Sequence, residues 1–508
     1  MKTKSIQNSL WDQSRQLLLP ILIALIFFAF TFSYFPFREK LQFDTDEGLN
    51  LMRSMLVALG YPLYSEVSSD QPPLFNHVLA LLFRIGGGPD VYHARLLVLL
   101  FSTLLVWAGA QFLQLTSVKL AAIMFLPLMI MVPRYLNLSV AVMIGVPSIA
   151  LAVVSMLFVT VWHQKRTNLW LILSALLLVL SVLVKLFTGF LVPIFLAGIT
   201  ISEYLRRSNE KLSWRILQPA FLWSFSFIGF GALLGLLLVG FQNAWLIIFP
   251  PLSAPSQDVF QSGHFSINLH LQSALPLLVL GLLGVGITLY RRKWLMLYPL
   301  AWAVLAYAML SFYSPVFYHH QLLITIPMAL IAAAGVGEGI SWLLALRVPA
   351  HLVRFQTGLG LIALAGFLWV STAYARVLDK DLLNSPSLSG SELQATAGKL
   401  KILNIMNEYV DQTHWIVTDV PMFAFRVARP VPPVLATFSS KRLATGSLTE
   451  EDILTAMREY QPEQVLMARF EIPALEAYLQ EHYTLMASPE FYRLFLRNDL
   501  VPTAQGNH

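Results

Sequence analysis

About eleven apolar runs, most close to the roughly 20 residues that a helix needs to cross a bilayer, limit what this chain can fold into. They lie near Leu17–Phe35, Ala94–Leu115, Leu120–Tyr135, Val140–Trp162, Leu169–Val184, Leu186–Tyr204, Ile216–Gly240, Ser273–Tyr290, Trp294–Phe312, Gln321–Leu346 and Gly358–Tyr374. The third is short for a span. Inside hydrocarbon a backbone must satisfy its own polar groups, which leaves helices for runs of this length. Composition agrees: 56% of the 508 residues are hydrophobic and 12% charged, against roughly 25% charged in a soluble domain. The expected fold class is a multispanning α-helical membrane protein. Met1–Gln16 is polar, with Lys2, Lys4 and Arg15, and the run after it ends without a small-residue cleavage site. That reads as an uncleaved first membrane helix rather than a signal peptide.

Net charge is +6, but Lys and Arg cluster between apolar runs, as in loops facing anionic lipid and not as in a nucleic-acid groove. With the N-terminus cytoplasmic, the cytoplasmic loops hold Lys119; His163, Lys165 and Arg166; Arg206, Arg207, Lys211 and Arg215; Arg291, Arg292 and Lys293; and Arg347 and Arg354. The opposite loops hold few cations beyond the first. An odd number of spans then puts everything after about Ala375 outside. The chain has no cysteine, which excludes disulfides, thiolate zinc sites and a thiol nucleophile.

Two regions follow: a transmembrane region at 1–375, with outer loops at 36–93 and 241–272, and an extracytoplasmic tail at 376–508. In the second loop, Trp245, Ile247, Ile248 and Phe249 suit the membrane surface, and His264 is isolated. The tail holds 16 of the 28 acidic residues. Trp415-Ile-Val-Thr, Gln464-Val-Leu-Met and Phe491-Tyr-Arg-Leu-Phe-Leu-Arg read as strands. Leu448-Thr-Glu-Glu-Asp-Ile-Leu reads as a helix start, capped by Thr449 ahead of three acids. Strands alternating with helices predict a small α/β domain.

The transmembrane region holds the other 12 acids, and seven of them fall in the first outer loop: Glu39, Asp44, Asp46, Glu47, Glu66, Asp70 and Asp90. Carboxylates near lipid are costly and usually have a task. A helix N-cap with acids in its first turn explains one of Asp44, Asp46 and Glu47; three exceed what a cap requires. Gln42-Phe-Asp-Thr-Asp-Glu-Gly48 precedes an amphipathic run, Leu49–Leu59. Gly60-Tyr-Pro-Leu-Tyr64, Ser69-Asp-Gln-Pro-Pro-Leu74 and His93-Ala-Arg-Leu-Leu97 follow.

This ordered set resembles the first extracytoplasmic loop of the GT-C glycosyltransferases, in particular bacterial relatives of the protein O-mannosyltransferases (glycosyltransferase family 39) and of the lipid A aminoarabinose transferase. The resemblance implies an enzyme of the bacterial inner (plasma) membrane. Such an enzyme moves a sugar from a polyprenyl-phosphate carrier to a hydroxyl on a protein, lipid or glycan, with inversion at the anomeric carbon. Asp46 and Glu47 match the family's acidic pair, Asp46 as candidate general base and Glu47 as supporting carboxylate; Asp44 keeps the choice of base open. Pro72-Pro73-Leu74 matches a loop signature, but Asp70-Gln71 stands where the family often has Lys. Asp70 joins the candidate substrate-binding set. A carboxylate within hydrogen-bond reach can take the acceptor's proton, and cations would stabilise the departing phosphate.

Lys185, at the predicted outer end of the fifth span, is either a snorkelling lysine or a contact for the lipid-linked phosphate. Arg95 either pairs with a loop acid or holds a phosphate bidentately; Arg53 and Arg134 are weaker candidates of the same kind. Tyr318-His319-His320 opens the tenth span. Adjacent histidines point in different directions on a helix, which disfavours zinc; the resemblance favours sugar or phosphate contact from one of them, the alternative being interfacial packing. Whether a divalent cation (magnesium or manganese) is held by Asp44, Asp46 or Glu47 stays open. An alternative function is a transporter or flippase for a lipid-linked glycan, which would place ionisable groups near the bilayer midplane. Another is a noncatalytic envelope scaffold. The near absence of charge inside the spans favours the enzyme.

Overall fold

The computed structural model describes residues 2–207, 214–248, 266–345, 350–383 and 396–501. Among the described residues, nine helices are long and apolar enough to cross a membrane, and Leu74–Ile85, Lys119–Ile130 and Asn168–Val184 are shorter apolar helices. The expected third and fifth spans are two of those short helices, and Leu74–Ile85 belongs to the first loop instead. The side chains of Trp245, Ile247 and Ile248, with Phe249, His264, Lys211, Arg347 and Arg354, lie outside the described residues.

The bundle is organised around the helix Leu322–Leu344, which is buried along almost its whole length and packs on Lys119–Ile130, Leu275–Tyr290, Leu297–Phe312 and Ala350–Leu383. Lipid is as apolar as these side chains, so close backbone approach and dispersion hold such helices together. Gly335 supplies that approach: a Cβ there would meet the Gly284 Cα at 2.6 Å.

The first loop folds into two helices, Thr45–Leu59 and Leu74–Ile85, that pack on each other. Asp44 caps the first of these, its Oδ1 accepting from the Asp46 N–H at 2.9 Å. Gly60, at φ 105°, ends it in the left-handed region where glycine is favoured. Tyr64 then donates from its hydroxyl to the Gln71 carbonyl at 2.7 Å and pins the segment that leads into Pro72 and Pro73.

The C-terminal domain carries a four-stranded sheet of order β1-β2-β4-β3, with β1 Ile416–Thr418, β2 Gln464–Met467, β3 Tyr483–Ala487 and β4 Arg493–Arg497. β1 and β2 are parallel, while β4 runs antiparallel to both β2 and β3. Thr449 caps the helix Glu450–Tyr460 in a reciprocal box with Asp452. Strand side chains alternate between faces. Val417, Val465 and Phe495 pack under Glu450–Tyr460. Ile416, Leu466 and Leu494 belong to one core with Leu51, Met55, Phe75 and Phe83 of the loop helices.

That shared core seats the domain on the first loop. Gly48 meets Met422 so closely that a Cβ would lie 2.6 Å from the Met422 nitrogen. Arg426 donates to the carbonyls of Arg38, Lys40 and Leu41, and Thr437 to the Ser68 carbonyl at 2.7 Å.

Candidate active site

Between the loop helices, the span ends and the C-terminal domain lies a cavity of about 500 Å³. Asp44, at the N-cap, and Asp46 and Arg53, on the helix Thr45–Leu59, line it, with Asp70, Gln71 and Pro72 from the segment pinned by Tyr64. Lys185 enters from the break after Asn168–Val184, and Tyr318, His319 and His320 from the 3-10 turn that starts the central helix. Of the nine site residues expected from sequence, seven line this one cavity; Glu47 and Arg95 do not.

Glu47 and Arg95 are fully buried against each other. Arg95 Nε reaches Glu47 Oε1 and Nη2 reaches Oε2, both at 2.8 Å. Its remaining N–H groups go to the carbonyls of Phe37, Lys40 and Leu41. A guanidinium has five N–H donors, so none remains for a phosphate. Glu47 also accepts from the backbone N–H of Phe43 and Val142. Of the two readings of Arg95, the pair with a loop acid is the one present. The pair ties the chain entering the loop to the helix leaving it.

Asp46 is the opposite case. No described residue donates a hydrogen bond to its carboxylate, which faces the cavity one residue from the saturated Glu47. Burial raises its pKa; Arg53, Arg469 and Lys185 pull it back, and Asp70 adds to the rise. Asp44 is pushed up from 3.8 to about 6, first by burial and then by Asp46 and Glu47, against the Asp46 N–H and Arg134. Arg53 lies 3.7 Å from Asp70, yet Arg53 Nε and Asp70 Oδ1 have no hydrogen-bond partner.

Lys185 is 8% exposed and sits in extended backbone between two helices. The Thr188 hydroxyl donates to its carbonyl at 3.0 Å, and Ser181 donates to Thr188 at 2.8 Å, which fixes the break. The ammonium lies 5.3 Å from the Phe187 ring centre, and no acid pairs with it among the described residues. Phe187 packs on His320 at 5.1 Å and on Tyr313 at 4.8 Å, giving the cavity an aromatic wall. The two histidines share that wall because they lie in a 3-10 turn after extended Phe317, not within a regular helix. His320 Nδ1 accepts from the Phe317 N–H at 3.1 Å, so its proton is on Nε2. Arg134, an exposed residue, stands over the Tyr318 ring at 5.3 Å and does not line the cavity.

A magnesium or manganese ion on all three acids does not fit this arrangement. Both Glu47 oxygens are committed to Arg95 and to backbone N–H groups. Among the described residues no cluster of three metal-ligating side chains occurs.

Sequence reading missed the residues brought by the C-terminal domain: Thr437, Ser439, Ser440, Lys441 and Arg469 also line the cavity. One signal was present. Arg469 follows the strand Gln464-Val-Leu-Met, and ligands of α/β sheets lie beyond the carboxyl ends of parallel strands.

No protein-family model matches the chain, and no curated protein matches it in sequence. Its architecture is similar to that of ArnT from Cupriavidus metallidurans in the apo state, with a TM-score of 0.60 at 13% identity over 95% of this chain and 98% of that one. The same protein bound to undecaprenyl phosphate gives 0.55 at 12% identity, over 94% and 97%. The archaeal oligosaccharyltransferase AglB from Archaeoglobus fulgidus, in complex with an inhibitory peptide and a dolichol-phosphate, gives 0.53 at 12% identity over 91% of this chain and 70% of that one. With its apolar helix bundle, loop helices and small C-terminal sheet, the chain has the GT-C membrane fold that these structures share.

Proposed function

We propose that this protein is a membrane glycosyltransferase that moves a sugar from a polyprenyl-phosphate carrier to a hydroxyl acceptor at the extracytoplasmic face, with the N-terminus cytoplasmic and Asp46 as general base. One observation carries the reading. Among the described residues, the half-buried carboxylate of Asp46 accepts no hydrogen bond and faces a cavity at the ends of the spans, and Lys185, which no acid there pairs with, faces the same cavity. The fold is shared with ArnT, which has been crystallised with undecaprenyl phosphate, and with AglB, which has been solved with dolichol-phosphate.

In the reaction, the acceptor oxygen bonds to the anomeric carbon as the bond from that carbon to the phosphate oxygen breaks. Asp46 takes the hydroxyl proton. The electron pair of the broken bond leaves with polyprenyl phosphate, whose added charge Lys185 and Arg53 stabilise. The aromatic wall of Phe187, Tyr313 and Tyr318 suits a sugar face, and the Nε2–H of His320 is a donor for a sugar or phosphate oxygen. Asp44 is less suited as the base because its Oδ1 already caps a helix.

The test is incubation of purified protein with a panel of radiolabelled polyprenyl-phosphate sugars and a membrane extract. Label is expected to pass from one donor to a hydroxyl-bearing product. Failure of every donor, together with no binding of undecaprenyl phosphate, would overturn the reading.

A further inference from the structure

The outer wall of the cavity belongs to the C-terminal domain, and its construction points at one side chain. Asp419 follows β1 directly, and Ala468–Phe470 follow β2 directly. Asp419 is fully buried, and its carboxylate accepts three successive backbone N–H groups. Ala468 donates to Oδ1 at 2.9 Å; Arg469 and Phe470 donate to Oδ2 at 2.6 and 2.9 Å. One carboxylate therefore fixes the turn that carries Arg469. Phe470 stacks on Phe438 at 5.5 Å, which joins this turn to the segment bearing Lys441. The Arg469 guanidinium lies over the Phe470 ring at 5.1 Å, and it lines the cavity.

Charge gives this placement a purpose. Without the C-terminal domain the lining carries three carboxylates, Asp44, Asp46 and Asp70, against two cations, Arg53 and Lys185, a balance that repels an anion. Arg469 and Lys441 reverse its sign. A cavity that must admit a phosphate beside an ionised base needs that reversal, and a guanidinium fork matches phosphate oxygens.

We propose that Arg469 is a substrate-contacting residue that binds the phosphate of the polyprenyl-phosphate donor, and that Asp419 is its positioning residue. This rests on the reading of the cavity as a polyprenyl-phosphate site. The C-terminal domain is then part of the donor site and not a separate acceptor module.

The experiment measures binding of undecaprenyl phosphate to the full-length protein in detergent, with melting temperature recorded alongside. Arg469→Ala should raise Kd about tenfold or more without lowering the melting temperature. Arg469→Lys should recover part of the loss, keeping the charge without the fork. Asp419→Asn should also raise Kd, and the double variant Asp419→Asn/Arg469→Ala should bind no worse than Arg469→Ala alone. That non-additivity is the mark of a residue acting through another; a merely structural Asp419 would add its own loss. If wild type binds and Arg469→Ala binds equally well, the inference falls while the proposed function stands. If wild type binds no undecaprenyl phosphate, the inference falls, and the proposed function falls with it when every labelled donor fails as well. Should Asp419→Asn fail to fold, the Ala and Lys variants of Arg469 still decide the contact.

Discussion

Glu203 and Glu338 lie at one end of the helix bundle, Asp46 and Asp70 at the other, and their surroundings differ in kind. Glu203 is met by Arg166, Arg206 and Arg207 at 2.7 to 3.2 Å. Glu338 is met by Arg291 and Lys293 at 3.3 and 3.7 Å. At the cavity end, among the described residues, no hydrogen bond reaches the Asp46 carboxylate, Asp70 has one cation at 3.7 Å, and Lys185 has an aromatic ring. Burying an ion is tolerable when partners compensate it. The closely paired end fastens helices together; on the proposed reading, the loosely paired end is arranged for charges that a ligand brings. The same contrast recurs within the first loop, where Glu47 is saturated and its neighbour Asp46 is bare.

The sharpest way to break this comparison is to neutralise the two neighbours separately. Asp46→Asn should lower kcat by about 10²- to 10⁴-fold, the usual contribution of a general base, with melting temperature retained. Transfer unchanged in this variant would remove Asp46 as base; its loss in Asp44→Asn alone would move the role two residues upstream. Glu47→Gln should do the reverse. It leaves Arg95 buried with an uncompensated charge, a change worth about 3–5 kcal/mol of stability. The readout is yield and melting temperature in detergent, and a stable but inactive Glu47→Gln would place that carboxylate in the chemistry after all.

Lys185→Ala comes next. Losing a charged hydrogen bond to the carrier phosphate should weaken undecaprenyl phosphate binding by about 1.5–3 kcal/mol, and Lys185→Arg should retain part of it. Equal affinity would return Lys185 to the snorkelling role. Protonation tests the same site without mutation. Burial raises the Asp46 pKa, so kcat/KM should fall on acidification before the ordinary aspartate range near 3.9 is reached. An acid limb at or below that range would mean that the carboxylate is solvated.

Much of this was legible in the chain because it follows from local rules. Thr449 with Asp452 announced a helix start, and Gly60, Tyr64 and Pro72 outlined a loop whose hydrogen bonds now explain their order. Asp44, Asp46 and Glu47 were found together because lipid penalises charge. Their division of labour was not legible, since it depends on which way each residue points from one helix turn. Position places Asp46 toward the cavity and Glu47 toward Arg95, 48 residues away. The pair of histidines was misjudged in direction for a similar reason: a 3-10 turn after Phe317 lets adjacent rings share a wall. Arg469 stayed hidden because its approach to Asp46 rests on the docking of one domain on another, through Gly48 and Met422 and through Thr437 and Ser68.

The smallest effect expected is also the one that best measures how dry the cavity is. Asparagine caps helices about as well as aspartate, so Asp44→Asn keeps the bond to the Asp46 N–H and removes only a charge. In the folded protein that charge is disfavoured, the carboxyl being pushed from 3.8 to about 6. A group whose folded pKa is raised in this way destabilises the fold when ionised; the penalty is full above the folded value and fades as pH falls toward the unfolded one. The shift caps the penalty at about 3 kcal/mol, and solvent at the cavity mouth should leave about 1 kcal/mol. Asp44→Asn should therefore melt above wild type at pH 7.5, with the gap closing near pH 4.5. Activity of wild type should move the other way over this range, since the base needs its charge. A variant no more stable than wild type at pH 7.5 would mean that water already reaches Asp44, and the contrast between the bare end of the bundle and its compensated end would then be one of solvation rather than of waiting charge.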